Sequence, residues 1–377
     1  MIAEICDYAA EYSGNFISSL LNLAQKVRSD LKMETLFVFP KESENKQWIK
    51  LIDQSGFKVV FVDRNSSLRD QKKFFRELAE KYGIKLMHTH FVKFDIPVLQ
   101  ASKKSNLHVI WHVHNDLTHN NVKQRVKDFI KFRIMSKNVD KIICVSEPVK
   151  QNLIKRGSSS DKTIAVKNGI DVERIDKKLQ EINRDEIRKR FDFSTSDFVI
   201  TLFGWDPYRK GVDIAIEAGK ILEKAGIKNF KFLIVGRDEL RKFVGDAINF
   251  KWLKLSEPSE NVAIFYKISD IFLSASRIEG LPYSVGEAMI SQLSVISSDI
   301  PYVVENFRDA GDGFIVFKNG DPEDLSMKIK DLMNLSSESL RDMGRKNRDF
   351  ILKNLSIDEW SKQILNIYKF ILKADDR

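Results

Sequence analysis

The chain has 377 residues, 43% hydrophobic and 31% charged, with a formal net charge of +9. That composition excludes a disordered chain, and the length suits two domains rather than one, at about 150 residues per domain. The positive balance favours acidic partners, among them nucleic acid, anionic lipid and phosphate-bearing substrates, without choosing between them.

Short β-branched runs alternate with helical patterns from end to end, which predicts parallel sheets covered by helices on both faces. In the first half the expected strands are Ile2 to Cys6, Thr35 to Phe39, Val59 to Val62, Leu86 to His90, Val109 to His112, Lys141 to Val145 and Thr163 to Val166. The polar run VERIDKKLQEINRDEIRKRFD then reads as a linker with one or two short surface helices. A second series follows, with strands expected at Phe198 to Phe203, Phe230 to Val235, Ile248 to Trp252, Ile271 to Ser274, Val295 to Ser297 and Phe314 to Phe317. In the last segment, Trp360, Ile364, Ile367, Tyr368 and Ile371 form one stripe of an amphipathic helix. The fold class expected is α/β, with two doubly wound, Rossmann-like domains that hold ligands beyond the carboxyl ends of their strands and trap one in the cleft between them.

The two cysteines, Cys6 and Cys144, each lie in an apolar run, so no disulfide framework or cysteine zinc site is expected and a reducing, cytoplasmic setting fits. The first residues show no basic leader before an apolar run, and no stretch approaches the roughly 18 apolar residues of a membrane span. Any membrane association is therefore expected to be peripheral.

The segment SRIEGLPYSVGEAM, Ser276 to Met289, follows a strand and carries the strongest chemical signal. Pro282 suits the first turn of a helix, where its missing N–H would be unpaired anyway. Free N–H groups at that helix start, with the backbone of Gly280, make a seat for a diphosphate. Glu287 lies about 7.5 Å further up the helix, within reach of a ribose, and Glu279 stands at the strand's end beside the sugar. As an arbitrary pair, two glutamates eight apart are surface charges; the strand, glycine, proline and helix around them reverse that reading. The second element, GWDPYRKG at 204 to 211, places Arg209 and Lys210 on a strand-to-helix turn, where they would neutralise charge on a departing nucleoside diphosphate. Taken alone, these two are equally an exposed turn with solvated cations.

With NGID at Asn168 to Asp171 and ICVSEPVKQNL around Ser146, these segments resemble glycosyltransferase family 4, of GT-B fold. The spacing of Glu279 and Glu287 matches that family's E-x7-E motif, and the resemblance covers nearly the whole chain. It implies an N-terminal acceptor domain over 1–170, a nucleotide-sugar domain over 171–356, and a last helix, 357–377, that packs back on the first domain. It also implies that Arg209 and Lys210 bind the donor diphosphate, Glu287 the ribose, and Glu279 with Gly280, Leu281 and Pro282 the sugar and phosphates. Gly14 is the single glycine of the N-terminal donor loop, where the family often has two. Trp205 occupies a place where the family commonly has arginine.

All six histidines fall between His88 and His119. A metal reading is disfavoured, because HTH and HVH on strands merely alternate and no carboxylate or cysteine stands at ligand spacing. By the resemblance, His114 lies beside the reacting sugar and acts with Glu279 in catalysis, while His90 and Asn168 line the acceptor cleft. His112 is expected to face away from the neighbours of His114, as ordinary packing. No Asp-x-Asp motif is present, so no metal and no cofactor are expected beyond the nucleotide-diphosphate sugar itself. The resemblance further implies retention of anomeric configuration, a saccharide or lipid-linked acceptor, and a place in cell-envelope or capsular polysaccharide synthesis. The basic run from Asn120 to Lys141 carries Val126, Phe129, Ile130 and Phe132, and fits either a sheet-packed helix with a solvated basic face or a helix lying on anionic membrane. A dehydrogenase is disfavoured by the lack of G-x-G-x-x-G after any strand, and a nucleic-acid binder by scattered basic residues without a stacking platform. A sugar-nucleotide epimerase of the same fold, or a non-catalytic sugar-binding or partner subunit, stays open.

Overall fold

The computed structural model describes residues 1–103, 105–114, 122–279 and 282–373; of residues 122–125 and 302 it describes the backbone alone. The chain divides into one unit of Met1–Gly169 with Ile357–Arg377, and a second of Ile170–Ser356. No helix among the described residues is long and apolar enough to cross a membrane.

The first unit is built on a seven-stranded parallel sheet: β1 (Ile2–Cys6), β2 (Thr35–Pro40), β3 (Lys58–Val62), β4 (Leu86–His90), β5 (His108–Val113), β6 (Lys141–Cys144) and β7 (Thr163–Ala165). Their order is β3-β2-β1-β4-β5-β6-β7, so the winding reverses between β1 and β4. The last helix, Ile357–Leu372, belongs to this unit and lies against the helix Gly14–Lys26. Its stripe of Trp360, Ile364, Leu365, Tyr368 and Ile371 shares one core with Ile2, Leu86, Ile110 and Ile143 of the sheet. Burying each aliphatic side chain of that stripe contributes roughly 1.5–3 kcal/mol.

The second unit holds a six-stranded parallel sheet: β8 (Phe198–Phe203), β9 (Phe230–Val235), β10 (Leu253–Ser256), β11 (Ile271–Ser274), β12 (Ser294–Ser298) and β13 (Phe314–Phe317). The order is β10-β9-β8-β11-β12-β13, with the reversal between β8 and β11. One expected strand is corrected. Gly245–Asn249 forms a 3-10 turn, and the ladder begins only at the carbonyl of Trp252, which accepts from Phe232 N at 2.7 Å. Trp252 itself is a core residue that stacks on Phe250 at 4.8 Å and packs against the glycine face of the helix Val212–Lys224. The polar run is more than a linker as well. It forms the helices Val172–Gln180 and Arg184–Arg190, whose Ile175 and Arg188 are buried in this unit.

Candidate active site

In the second unit the two motif loops leave adjacent strands at the reversal, where a doubly wound sheet opens a crevice beyond its strand ends. After β8 the turn Gly204 to Gly211 leads into the helix Val212–Lys224, and after β11 the chain runs through Ser276 to Glu279. Arg277 ties these loops together. Its backbone N–H donates to the Arg209 carbonyl at 2.8 Å, and its guanidinium grips Asp213 with two bonds of 2.9 and 2.7 Å while also donating to the Tyr208 carbonyl at 2.5 Å. Such bidentate pairs fix geometry as well as charge.

That clamp brings Lys210, Arg209 and Glu279 together. The Lys210 ammonium and the Glu279 carboxylate are buried and directly paired, and Ser276 Oγ donates to the same carboxylate oxygen at 2.9 Å. Arg209 reaches that oxygen at 3.4 Å and stacks its guanidinium 4.3 Å from the Trp205 ring, beside Asp206 at 3.2 Å. Trp205 is 60% exposed, a flat apolar face next to two cations. Burial works to raise the Glu279 carboxyl, but Lys210 and Arg209 outweigh it and hold the group below its ordinary value. Burial also lowers the Lys210 ammonium, against the pull of Glu279. Gly280 and Leu281, both expected to contact donor, lie outside the described residues.

Pro282 is buried at the N-cap of the helix Tyr283–Ile290, in extended backbone, rather than within its first turn as expected. A proline cap leaves no side-chain acceptor for the first N–H groups of the helix. Glu287, five positions into that helix, is buried with both carboxylate oxygens engaged: Arg174 pairs with Oε1, and Tyr266 donates to Oε2 at 3.0 Å. Burial and the carboxylate raise the Tyr266 phenol well above its ordinary value, so it stays a donor. Neither Arg174 nor Tyr266 is signalled by the motif. Arg174 sits one turn beyond NGID, inside the VKNGIDVERI segment at 166–175 and capped by Asp171, so the sequence shows a basic residue there but no partner to assign it.

In the first unit, Gly14 opens the helix Gly14–Lys26, and a side chain there would stand 3.6 Å from Tyr8 Oη. Tyr8 pins this loop by donating to the Tyr12 carbonyl at 3.0 Å. Four of the five histidines of β4 and of β5 with its end, His88, His90, His112 and His114, share one face, because Glu4 registers with His88, and His90 with His112. His90 Nδ1 meets His114 Nε2 at 3.1 Å, and its Nε2 meets Glu4 Oε2 at 2.8 Å. His114 also stacks on Phe91 at 4.5 Å, a residue in the left-handed region at φ 65°. The expectation for His112 is corrected. It stacks on His114 with ring centres 4.3 Å apart, since alternate residues of one strand share a face. Asn168 is buried, and its Oδ1 has no hydrogen-bond partner among the described residues. His119 lies outside the described residues.

Ligand nitrogens of His88, His90 and His112 come within 4.8 Å of one another, a grouping close enough to consider for a metal ion. Both His90 nitrogens are already hydrogen-bonded, and the His88 and His112 rings are parallel within 3°, so their in-plane lone pairs do not converge. Glu4 and Tyr368 are the residues of this cluster that local sequence does not reveal. They are 364 positions apart and meet at 2.6 Å.

Residues 183–350 match the family model of glycosyl transferases group 1, and residues 39–174 that of glycosyltransferase family 4. An uncharacterised glycosyltransferase of Methanocaldococcus jannaschii is 26% identical over 82% of each chain. The Escherichia coli UDP-Gal:alpha-D-GlcNAc-diphosphoundecaprenol alpha-1,3-galactosyltransferase is 26% identical over 83% of each. Among solved structures, Anabaena HepE in complex with UDP-glucose superposes with a TM-score of 0.80 at 16% identity, over 98% of this chain and 99% of that one, a likeness of GT-B fold.

Proposed function

We propose, for a chain that belongs to glycosyltransferase family 4, that this glycosyltransferase moves a hexose-type sugar from a nucleoside-diphosphate sugar to a saccharide or lipid-linked saccharide, with retention and without a metal ion. The observation that carries the reading is the Lys210, Arg209 and Glu279 group at the strand ends of β8 and β11, with Lys210 and Glu279 buried, Arg209 half-buried and the two loops clamped by Arg277. Cations held there stabilise the negative charge that grows on a departing diphosphate, which is the role a divalent ion plays elsewhere. In the transfer, the bond from the anomeric carbon to the diphosphate oxygen breaks, and a bond to the acceptor oxygen forms on the same face. The acceptor's proton passes to the leaving phosphate. Glu279 faces the sugar and Glu287 the ribose, with Gly14 and the 280–282 segment completing the donor contacts; His114, His90 and Asn168 serve the acceptor. The Escherichia coli relative is named for a UDP-sugar donor and a diphosphoundecaprenol-linked acceptor, substrates within the proposed classes and in keeping with polysaccharide assembly. The test is a thermal-shift panel of nucleotide sugars in the presence of EDTA, followed by product analysis with and without acceptor. One sugar nucleotide is expected to stabilise the protein and to turn over only with acceptor. Conversion of donor alone to an isomer would make it an epimerase, and stabilisation by none would remove the reading.

The acceptor side includes a surface for anionic lipid. On the helix Val122–Arg133 and the residue after it, Val126, Phe129, Ile130 and Ile134 are 54, 53, 45 and 58% exposed, flanked by exposed Lys127, Arg133 and Lys137. The inner face of the same helix is mixed: Phe132 is buried against Trp111, while Lys131 pairs with Asp95 at 2.5 Å and Asp128 with Arg156 at 3.1 Å. The helix thus already has an apolar anchor inward in Phe132, and the outward stripe of Val126, Phe129, Ile130 and Ile134 is apolar surface that its own sheet does not cover. A bilayer accommodates this face, with each nearby cation adding about 1 kcal/mol on anionic lipid. The triple variant Phe129→Ser/Ile130→Ser/Ile134→Ser is expected to lower sedimentation with phosphatidylglycerol vesicles by about tenfold, and equal sedimentation would remove the membrane contact.

A further inference from the structure

The polar ladder of the first unit is continuous and directional. Tyr368 Oη donates to Glu4 Oε1 at 2.6 Å, Glu4 Oε2 meets His90 Nε2 at 2.8 Å, and His90 Nδ1 meets His114 Nε2 at 3.1 Å. Every member is buried. The members come from β1, β4, the end of β5 and the last helix, so the ladder follows the sheet reversal and leads from the core toward the strand ends.

The protons along it can be assigned one by one. Burial works to raise the Glu4 carboxyl, but His88 and His90 overcome it and hold the group far below the ordinary carboxylate range, so Glu4 is an acceptor. Burial pushes His90 down to about 4, so at neutral pH it carries a single N–H. Facing an acceptor-only carboxylate, that hydrogen must be on Nε2. His90 Nδ1 is then bare, and the 3.1 Å contact is a hydrogen bond only when His114 Nε2 donates. Burial also lowers His114 well below its ordinary value, which makes it a neutral ring with one hydrogen already assigned. His88 Nδ1 stands against the same ladder, 2.5 Å from Tyr368 Oη and 3.2 Å from Glu4 Oε2.

We infer that Glu4 and His90 are positioning residues for His114, fixing it as the Nε2–H tautomer so that Nδ1 is its only acceptor nitrogen. This rests on the proposed role of His114 beside the substrate. A neutral imidazole with a bare Nδ1 accepts a hydrogen bond from a sugar hydroxyl and neither protonates the substrate nor offers it an N–H. It therefore selects substrates that present a hydroxyl donor at that place, and turns the hydroxyl oxygen in a fixed direction.

Two measurements on the full chain test the inference. In the first, two-bond ring-nitrogen correlations are recorded at pH 7.5 on protein labelled with 15N-histidine, with His114 assigned from His114→Asn. The expected pattern is a protonated Nε2 and a bare Nδ1 at His114, and a protonated Nδ1 overturns the inference. The second uses His90→Leu and His90→Asn. Leucine removes the acceptor for His114 Nε2–H, whereas the asparagine amide oxygen takes nearly the place of Nδ1. His90→Leu is expected to lower kcat about 100-fold with the donor KM within twofold, and His90→Asn to return kcat to within about tenfold of wild type together with the tautomer signal. Equal loss in both variants, or a full kcat in His90→Leu, overturns it. The spectrum of the wild type needs no turnover, so an Nε2–H signature in a chain inactive with every donor would support the inference while removing the transferase reading.

Discussion

Lys210→Ala is expected to lower kcat/KM for sugar transfer by about 10²–10³-fold, with most of the loss in kcat. That factor corresponds to about 2.7–4 kcal/mol, the usual effect of deleting one buried group that stabilises developing negative charge. Lys210 qualifies because it is 7% exposed and clamped in a turn, so its charge is already in place when the diphosphate departs. Its ground-state partner complicates the experiment. Removing the ammonium leaves Glu279 buried with, among the described residues, Arg209 at 3.4 Å and Ser276 at 2.9 Å, and an orphaned buried charge costs about 3–5 kcal/mol of stability. The double variant Lys210→Ala/Glu279→Gln separates the two effects. It is expected to recover the melting temperature and not the activity, because the neutral amide needs no cation while the leaving group still does. Release of nucleoside diphosphate in the presence of acceptor is the readout. Transfer by Lys210→Ala within threefold of wild type would remove this lysine from the chemistry and weaken the whole donor assignment.

The parts of the molecule that local sequence makes legible are those whose signal is local. Strand runs such as IAEIC and FVITLF, the helix stripe from Trp360 to Ile371, and the two glutamates eight apart are set by neighbours within a turn or a pleat. What escapes is set at long range. Glu4 is the one charged residue of an otherwise apolar strand, and only β4 at its side and a helix more than 350 residues later explain a buried carboxylate there. Arg174, in the polar run, and Arg277, beside Ser276 in the donor segment, carry no local signal of their partners, yet each closes on a carboxylate more than 60 positions away. The strand expected at Ile248 to Trp252 shows the converse. Phe250 and Trp252 look like pleat residues by type and spacing, but their rings stack at 4.8 Å on the way into the ladder, a use of aromatic surface that β-propensity does not distinguish from strand. The outward face of the helix Val122–Arg133 is ambiguous in sequence for a related reason: a stripe of apolar residues among cations has the same period whether it meets a sheet or a bilayer.

Gly211→Ala is expected to destabilise the second unit by about 2–5 kcal/mol, a large effect for one added methyl group. Two costs combine. Gly211 has φ 68° and ψ 34°, left-handed backbone that costs a residue with a Cβ about 1–2 kcal/mol. A Cβ built on it would also stand 2.0 Å from the Ala275 carbonyl oxygen and 3.0 Å from the Ala275 Cβ, and relieving a backbone clash by shifting main chain adds about 1–3 kcal/mol. For a unit of this size the sum lowers its melting temperature by roughly 4–20 °C. The displaced atoms matter for function because Gly211 follows Lys210 directly and Ala275 precedes Ser276, so the shift parts the two loops that hold the lysine against Glu279. Donor affinity should therefore fall along with stability. Gly226→Ala is the control. It has φ 74° but no atom within 4 Å of its would-be Cβ, so only the backbone cost applies. Gly226 also follows the far end of the helix Val212–Lys224, the end away from Lys210, so the substitution leaves the donor loops intact. Calorimetry with and without nucleotide sugar separates the outcomes: a Gly211→Ala protein that melts like Gly226→Ala and keeps its donor-induced shift would mean that the two loops do not need to pack as closely as their backbones now do.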